Sequence, residues 1–500
     1  MVLLRQKNGL KQKTGLKQKT KRTEHTLQAR IRADVRSAIL EGRLVAGARL
    51  PASRAYATQQ GVSRNTILAA YDQLIAEGYL ETRPGAGTFV CKDLPDHYLG
   101  NTSSSSKATA PCLQSPQNKQ IEQAKQSDTV AQTGMPAFDA FPKDVWARLI
   151  SRAWRHANES IFQHNDPMGY LPLREATASY LASSRHVRAT ADQVLIVSGL
   201  QQGMKLIADC LLGDSGKIIL EDPGYSGLRR TSEACLQKTI FTGVDRSGAC
   251  IPSLSHKNSL LVISPSRQYP LGITMPVARR LELLAWAQAS NSLILEDDYD
   301  SEFRYAGRPL NALQGIVGNG VSASNHVIYG GTFSKSTFPA LRLGYLVLPP
   351  ALIGTLVKRR AAVDSFPSIV PQLALADFMQ SGNFARHIRR LRKIHAERQA
   401  NYIALFEKHL SGYFTLQPSD AGLHLLAQPT GTWLKSSHKC DTDWAKTVRA
   451  AGLSAHALSH TYKTSKNRQG LLLGFANFTP KEVTLAFPKL ARYMLEETGF

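Results

Sequence analysis

From Cys91 to about Gly134 the chain turns to Ser, Gln, Lys, Thr and Pro, with four serines in a row at residues 103–106 and no periodic apolar face. Such a stretch buries too little apolar surface to offset its conformational entropy, so it predicts a flexible linker of roughly 40 residues. No single core can then run through the chain. It must fold as two parts, and its 500 residues suffice for both at roughly 100–200 residues per domain. The boundaries expected are a tail over 1–25, a small domain over 26–91, the linker over 92–134 and a large domain over 135–500.

The tail is polar and basic, with Gly-Leu-Lys-Gln-Lys-Thr at 9–14 repeated at 15–20, and predicts disorder. Beyond it Leu27, Ile31, Val35 and Ile39 recur every four residues, one apolar helix face that ends near Gly42. A second helix fits Ser53 to Gln60. After Gly61-Val62, Ser63 is an N-cap candidate for a third helix that runs to Glu77 and stops at Gly78. Tyr79 to Val90 reads as two short strands around Arg83-Pro84-Gly85-Ala86-Gly87. Three helices followed by a basic hairpin make a winged helix-turn-helix.

Charge supports a polyanionic partner for this end. The chain carries a formal net charge of +23, and residues 1–90 hold sixteen Lys and Arg against six Asp and Glu. A helix that enters the major groove of double-stranded DNA needs small polar and basic side chains at its start, and Ser63-Arg64-Asn65-Thr66 supplies them. Arg49, Arg54 and Arg83, with Gly87 in the wing, stand where backbone phosphates run, so they position while Arg64, Asn65 and Thr66 read bases. Taken singly, Arg64 and Asn65 also fit an ordinary solvated helix face. The segments Leu50-Pro51-Ala52-Ser53-Arg54, Gly61 to Thr66, Ala76-Glu77-Gly78-Tyr79-Leu80 and Gly85 to Val90 together resemble the GntR-type winged-helix domain of bacterial transcription regulators.

Beyond the linker, helical patterns alternate with apolar runs at Gln193–Val197, Lys217–Leu220, Leu260–Ile263, Leu293–Leu295, Val327–Tyr329 and Tyr345–Leu348. This predicts an α/β domain with a largely parallel sheet. Lys335 lies on a small-residue turn in Tyr329-Gly330-Gly331-Thr332-Phe333-Ser334-Lys335-Ser336, which lacks the P-loop glycines. A lysine so placed can form a Schiff base with a carbonyl cofactor such as pyridoxal 5'-phosphate. That cofactor needs a carboxylate for its ring nitrogen, and Asp297 follows an apolar strand, with Tyr299 able to reach the ring hydroxyl. Its phosphate needs N–H donors, and Gly199, Leu200 and Gln201 open a helix, with Ser334 and Arg342 able to add bonds. Tyr225 is the candidate to cover the ring. Each also has an ordinary reading: Asp297 as a turn residue, the glycines as a helix start, Tyr225 as core packing.

These segments, with Gly169 to Arg174, Met275 to Arg280 and Leu473-Gly474-Phe475-Ala476-Asn477, resemble the fold type I aminotransferases, and most of all the MocR-type regulators that join such a domain to a GntR-like one. The resemblance implies Lys335 as the Schiff-base lysine, Asp297 on the pyridine nitrogen, and a homodimer. Two positions depart from the enzymes. The late strand that carries a substrate-carboxylate arginine there reads Gly470-Leu471-Leu472-Leu473-Gly474 here, with Arg468 outside the apolar run. Tyr269 stands where the enzymes have an asparagine near the ring hydroxyl, and Arg267 replaces a histidine common among the regulators.

No run approaches the ~20 apolar residues of a membrane span. The six scattered cysteines form no C-x-x-C pair, so neither a metal site nor a disulfide framework is expected, and a reduced cytoplasm fits. The reading is a regulator whose large domain binds pyridoxal phosphate as effector, with vitamin B6 metabolism as its output. Its alternatives are the same architecture sensing an amino acid or amine through the Schiff base, and an active aminotransferase.

Overall fold

The computed structural model describes residues 27–92, 94 and 133–498, apart from 164–165, 214, 307–309, 319–320, 323–324, 418, 437–438 and 465–467. The expected tail, and all of the expected linker except Lys92, Leu94, Thr133 and Gly134, lie outside the described residues. The chain divides into two compact units, one up to residue 116 and one from residue 117 on.

In the first unit helices span Leu27–Leu40, Ser53–Gln60 and Arg64–Ala76. Strands Leu80–Arg83 and Gly87–Val90 form an antiparallel hairpin with Leu80 opposite Val90 and Arg83 opposite Gly87. Ile31, Val35 and Ile39 bury their side chains against Tyr56, Ile67, Ala70, Tyr71 and Leu74, whereas Leu27 at the frayed helix start is exposed. Ser63 has extended backbone and its hydroxyl accepts from the Thr66 N–H at 3.2 Å, so it caps the third helix as its position predicts. Gly61 closes the second helix with φ +66°, a left-handed conformation that glycine adopts without strain. Arg32 pairs with Glu77 at 3.1 Å and ties the first helix to the end of the third.

The second unit is built on an eight-stranded sheet. Strands Lys217–Asp222, Leu260–Ile263, Leu293–Asp298 and Val327–Thr332 run parallel as its centre, with Lys238–Asp245 parallel at one side. At the other side Gly344–Val347 runs antiparallel between Val327–Thr332 and Val194–Val197. The central strands continue past their apolar runs into Glu221-Asp222, Glu296-Asp297-Asp298 and Gly330-Gly331-Thr332, which carries acidic groups to the carboxyl edge of the sheet. Lys238–Asp245 escapes an apolar-run reading because most of its residues are half-buried or exposed. A separate antiparallel sheet joins Phe414–Leu416, His424–Pro429, Leu471–Gly474 and Ser454–Ala457, and the 28-residue helix Asn383–Leu410 packs with it.

Glycine at two sites lets the layers close. A Cβ on Gly330 would stand 2.3 Å from Leu200, and one on Gly331 2.4 Å from Tyr345, so the helix that starts at Leu200 can lie on the strand leading to Lys335. None of the described helices is long and apolar enough to cross a membrane.

Replacing Ser63 by Ala removes the side-chain cap and leaves the Thr66 N–H with only the Ser63 carbonyl at 3.1 Å. The expected loss is ~1 kcal/mol from the winged-helix unit, and only a few tenths for Ser63→Gly, read as the shift in its thermal unfolding transition.

Candidate functional site

On the first unit Ser63, Arg64 and Asn65 are exposed at the start of the third helix, and Thr66 is half-buried with its hydroxyl 2.8 Å from that of Ser63. Arg64 donates to the Ser53 hydroxyl at 3.4 Å, which joins the starts of the second and third helices. Arg54 is exposed one residue into the second helix. Arg49 bridges to Phe89 in the hairpin, and its Nε lies 3.2 Å from where a Gly87 Cβ would be. Arg83 donates to Glu81 at 2.6 and 3.0 Å and lies over the Phe89 ring at 4.5 Å. The structure therefore places the expected DNA-facing residues on the helix starts and the wing, with Arg83 already held by a carboxylate that sequence reading passed over.

On the second unit, three of the four carboxylates at residues 296–300 have hydrogen-bond donors. Glu296 is fully buried and accepts from the Leu313 and Gln314 N–H groups at 3.0 and 3.1 Å. Asp298 accepts from Arg185 Nε at 2.7 Å and from the Tyr329 hydroxyl, while Arg185 also donates to the Leu310 carbonyl and, at 2.5 Å, to Ser266. Asp300 pairs with Arg267 at 3.2 Å. Asp297 is 8% exposed, and no described residue hydrogen-bonds its carboxylate. Burial, then Asp298 and Asp300, push its pKa up to about 8 against the weaker pull of Lys335.

Lys335 follows the Val327–Thr332 strand, next to that of Asp297. Burial lowers its pKa, opposed by Asp300 and Asp297. Its Nζ donates to the Gly134 carbonyl at 2.8 Å. Sequence reading assigned Gly134 to the linker, whereas the structure seats it on the lysine; the only signal was Gly134-Met135-Pro136 just ahead of an aromatic run.

Tyr299 accepts from Arg267 Nη1 at 3.2 Å. Arg267 is buried and reaches across to the second sheet, where it donates to the His424 carbonyl at 3.0 Å and the Ser419 hydroxyl at 3.4 Å, with Gly422 too close to its guanidinium to bear a Cβ. Tyr269 lies edge-on to Tyr225, Tyr299 and His424 with ring centroids 5.5–6.0 Å apart. Tyr225 caps the helix Ser226–Glu233 and is 37% exposed. Leu472 packs with Leu426, Leu458 and Tyr462 against Tyr269 and Leu271, so the strand Leu471–Gly474 turns an apolar side chain into a buried cluster at this position.

Gly199 has φ +134° and opens the helix Leu200–Leu211, whose first N–H groups have no intrahelical acceptor. A Cβ on Gly199 would stand 3.5 Å from Arg342 Nη2, so the exposed Arg342 guanidinium lies beside that helix start. The Gln201 side chain is engaged elsewhere, donating to the Gly227 carbonyl at 3.0 Å and the Thr231 hydroxyl at 3.1 Å, which leaves its backbone N–H as the cradle group. Ser334 precedes Lys335 on the same turn, and its N–H is donated to Thr332 Oγ1 at 3.1 Å. A buried amine, an unpartnered buried carboxylate and a helix start with an arginine beside it fit the aldehyde, ring nitrogen and phosphate of pyridoxal phosphate. Arg185, Asp298, Asp300, His424 and Gly422 had no sequence signal, because their partners lie far away along the chain.

A family model for bacterial regulatory proteins of the gntR family matches residues 27–90, and one for class I and II aminotransferases matches residues 133–440. The chain is 36% identical to the "Probable rhizopine catabolism regulatory protein MocR" of Rhizobium meliloti, over 93% of each. It is 30% identical to the pyridoxine biosynthesis transcriptional regulator PdxR of Corynebacterium glutamicum, over 90% of this chain and 92% of that one. Among solved structures, the kynurenine aminotransferase of Pyrococcus horikoshii superposes with a TM-score of 0.64 at 21% identity, covering 80% of this chain and 99% of that one. The α-aminoadipate aminotransferase LysN of Thermus thermophilus superposes with a TM-score of 0.63, also at 21% identity, covering 74% and 92%.

Asp297 also sets a pH dependence in the protein without cofactor. Between its ordinary pKa of 3.8 and about 8 the folded chain keeps a proton that the unfolded chain has lost. Stability therefore falls as pH rises through that window and levels off above it, by up to ~1.4 kcal/mol per pH unit for this one proton. Asp297→Asn is expected to flatten the fall by that proton's share and to be the more stable protein at pH 8, as read from thermal unfolding midpoints at pH 5 to 8.

Proposed function

The chain belongs to the MocR-type transcription regulators, a GntR winged helix joined to a class I and II aminotransferase domain, and from that premise we propose that it binds pyridoxal phosphate at Lys335 and alters its affinity for operator DNA in response. The observation that carries this reading is the Asp297 carboxylate, buried and unpartnered among the described residues beside a buried lysine. A buried carboxylate without a donor costs stability, so its retention makes sense if a ring N–H meets it.

When bound, the cofactor supplies an aldehyde that condenses with a primary amine. The residues do the rest. Asp297 holds a proton at the ring nitrogen, Tyr299 with Arg267 behind it faces the ring hydroxyl, Tyr225 and Tyr269 wall the ring, and the N–H groups of Gly199, Leu200 and Gln201 with Ser334 and Arg342 bind phosphate. Leu472 and its apolar neighbours offer no bidentate partner to an α-carboxylate, which favours the cofactor itself as effector over amino-acid turnover. Control of vitamin B6 supply is then the output, in line with the relative named as a pyridoxine biosynthesis regulator. A second reading, an amine or amino acid sensed through Lys335, draws on Arg468, which neighbours Tyr462 at the edge of that cluster.

Binding must favour one arrangement of a homodimer, since only differential affinity shifts a population. Arg49, Arg54, Arg64 and Arg83 supply phosphate contacts on each winged helix.

The test is a near-ultraviolet and visible spectrum with pyridoxal phosphate, paired with binding to the promoter fragment upstream of the chain's own gene. A Schiff-base band that Lys335→Ala abolishes, that amino acids leave unchanged, and that accompanies a DNA affinity change of about 5- to 150-fold is the expected result. Conversion of the band by an amino acid or amine moves the reading to the second alternative, and absence of any band overturns both. Arg54→Ala is expected to lower the slope of log affinity against log salt by about 1 per subunit.

A further inference from the structure

The winged helix accounts for only part of the chain's positive charge, since residues 91–500 still hold 45 Lys and Arg against 32 Asp and Glu. In the helix Asn383–Leu410, Phe384, His387, Ile388, Leu391 and His395 bury one face. At about 3.6 residues per turn, Arg386, Arg389, Arg390 and Lys393 fall on the opposite face, and all four are exposed. No Asp or Glu lies between Asp377 and Glu397. Arg386 donates to the Asn383 side chain at 2.7 Å, and among the described residues no carboxylate pairs with Arg389, Arg390 or Lys393. This placement works against the helix. Arg386 lies in its first turn, beside the positive end of the helix dipole, and Arg386 with Arg390 and Arg389 with Lys393 repel as like charges four residues apart. An anion held over the face relieves both penalties.

We propose that this face of the second unit is a DNA contact in its own right, meeting phosphates of the duplex that flanks the segment held by the winged helix. It goes beyond the cofactor reading and does not depend on it. The gntR match makes duplex DNA the polyanion that this chain meets. The four cations cover ~10 Å along the helix axis, about the axial span of three phosphates on one strand. Three of them are arginines, whose planar guanidinium can bond two phosphate oxygens at once. No large apolar side chain of this helix is exposed among the described residues, so the face has neither the apolar half of a membrane-surface helix nor the apolar centre of a protein interface. Contacts to phosphate carry no sequence information, so the face adds affinity for any duplex and leaves base reading to the winged helix.

Titration of the full-length protein onto a duplex of arbitrary sequence over a range of salt tests this, because a phosphate contact needs no operator. Arg389→Gln with Arg390→Gln is expected to lower the slope of log affinity against log salt by about 2 per subunit, so that going from about 50 to about 200 mM salt weakens its binding ~10-fold less than the wild type's. Arg386→Gln with Lys393→Gln is an independent pair with the same expected effect, and glutamine keeps the helix propensity of the residues it replaces. Arg389→Lys with Arg390→Lys keeps both charges and is expected to restore most of the slope. Lys358→Gln with Arg359→Gln removes the same charge from exposed positions of the helix Ile353–Val363. That helix packs with Leu195 and Val197, whereas Phe384 and Ile388 pack with Val194 and Ile196 on the opposite face of the sheet, so this pair is expected to leave the slope unchanged. An unchanged slope in both glutamine pairs of the Asn383–Leu410 helix, or an equal fall in the Lys358 and Arg359 pair, overturns the contact. If Arg54→Ala alone lowers the slope, the contact falls and DNA binding by the winged helix stands. A wild type that does not bind duplex overturns both.

Discussion

The carboxylates that leave one end of the Leu293–Asp298 strand are the constraint around which the second unit is arranged. Four acidic groups within five residues, Glu296, Asp297, Asp298 and Asp300, are buried, and each ionised group in such surroundings demands a counter-charge or donors. Arg185 comes from the helix Leu171–Arg185 to meet Asp298, backbone N–H groups at 313–314 meet Glu296, and Arg267 meets Asp300. Each of these partners fixes a different piece of chain to the sheet edge. What is left over is Asp297, with Lys335 close by.

Those commitments explain why the second sheet belongs to the same site. Arg267 is spent on Asp300 and Tyr299 on one side and on the His424 carbonyl on the other, so the strand His424–Pro429 is held to the lip of the large sheet by a guanidinium whose removal would leave Asp300 uncompensated. Burial keeps His424 neutral, its pKa driven well below the usual value, and Arg267 adds to that. Near that guanidinium, Leu472 of the second sheet packs in an apolar cluster against Tyr269 and Leu271.

The position of Lys335 and Asp297 at the sheet edge was legible in the sequence because each follows an apolar run, and the carboxyl ends of parallel strands converge whatever the rest of the chain does. The winged helix was readable almost to the residue, since its signals are local: Ser63 three residues before Thr66, Gly61 and Gly78 at helix ends, glycines in the hairpin. Leu27 fails the pattern only because the first residue of a helix has no turn before it to pack under. The unread features are long-range pairings. Arg185 and Asp298 are 113 positions apart and Arg267 and His424 157 apart, and neither end of either pair has a local pattern that distinguishes it from a solvated arginine or a core histidine. Gly134 was misfiled for a related reason: composition changes gradually at a linker's end, and nothing in Gln132-Thr133-Gly134 says that the chain has reached a lysine two hundred positions further on.

The two units handle charge in opposite ways. Arg83 pairs with Glu81 on an exposed strand, with both side chains more than two-fifths exposed, and such a pair contributes at most ~1 kcal/mol. A phosphate can displace Glu81 at little cost. Arg185 and Asp298 are 6% and 2% exposed, and parting them leaves a bare charge in a dry interior, at roughly 3–5 kcal/mol. A packed interior of this kind resists gradual deformation. Lys335 is a buried amine within that interior.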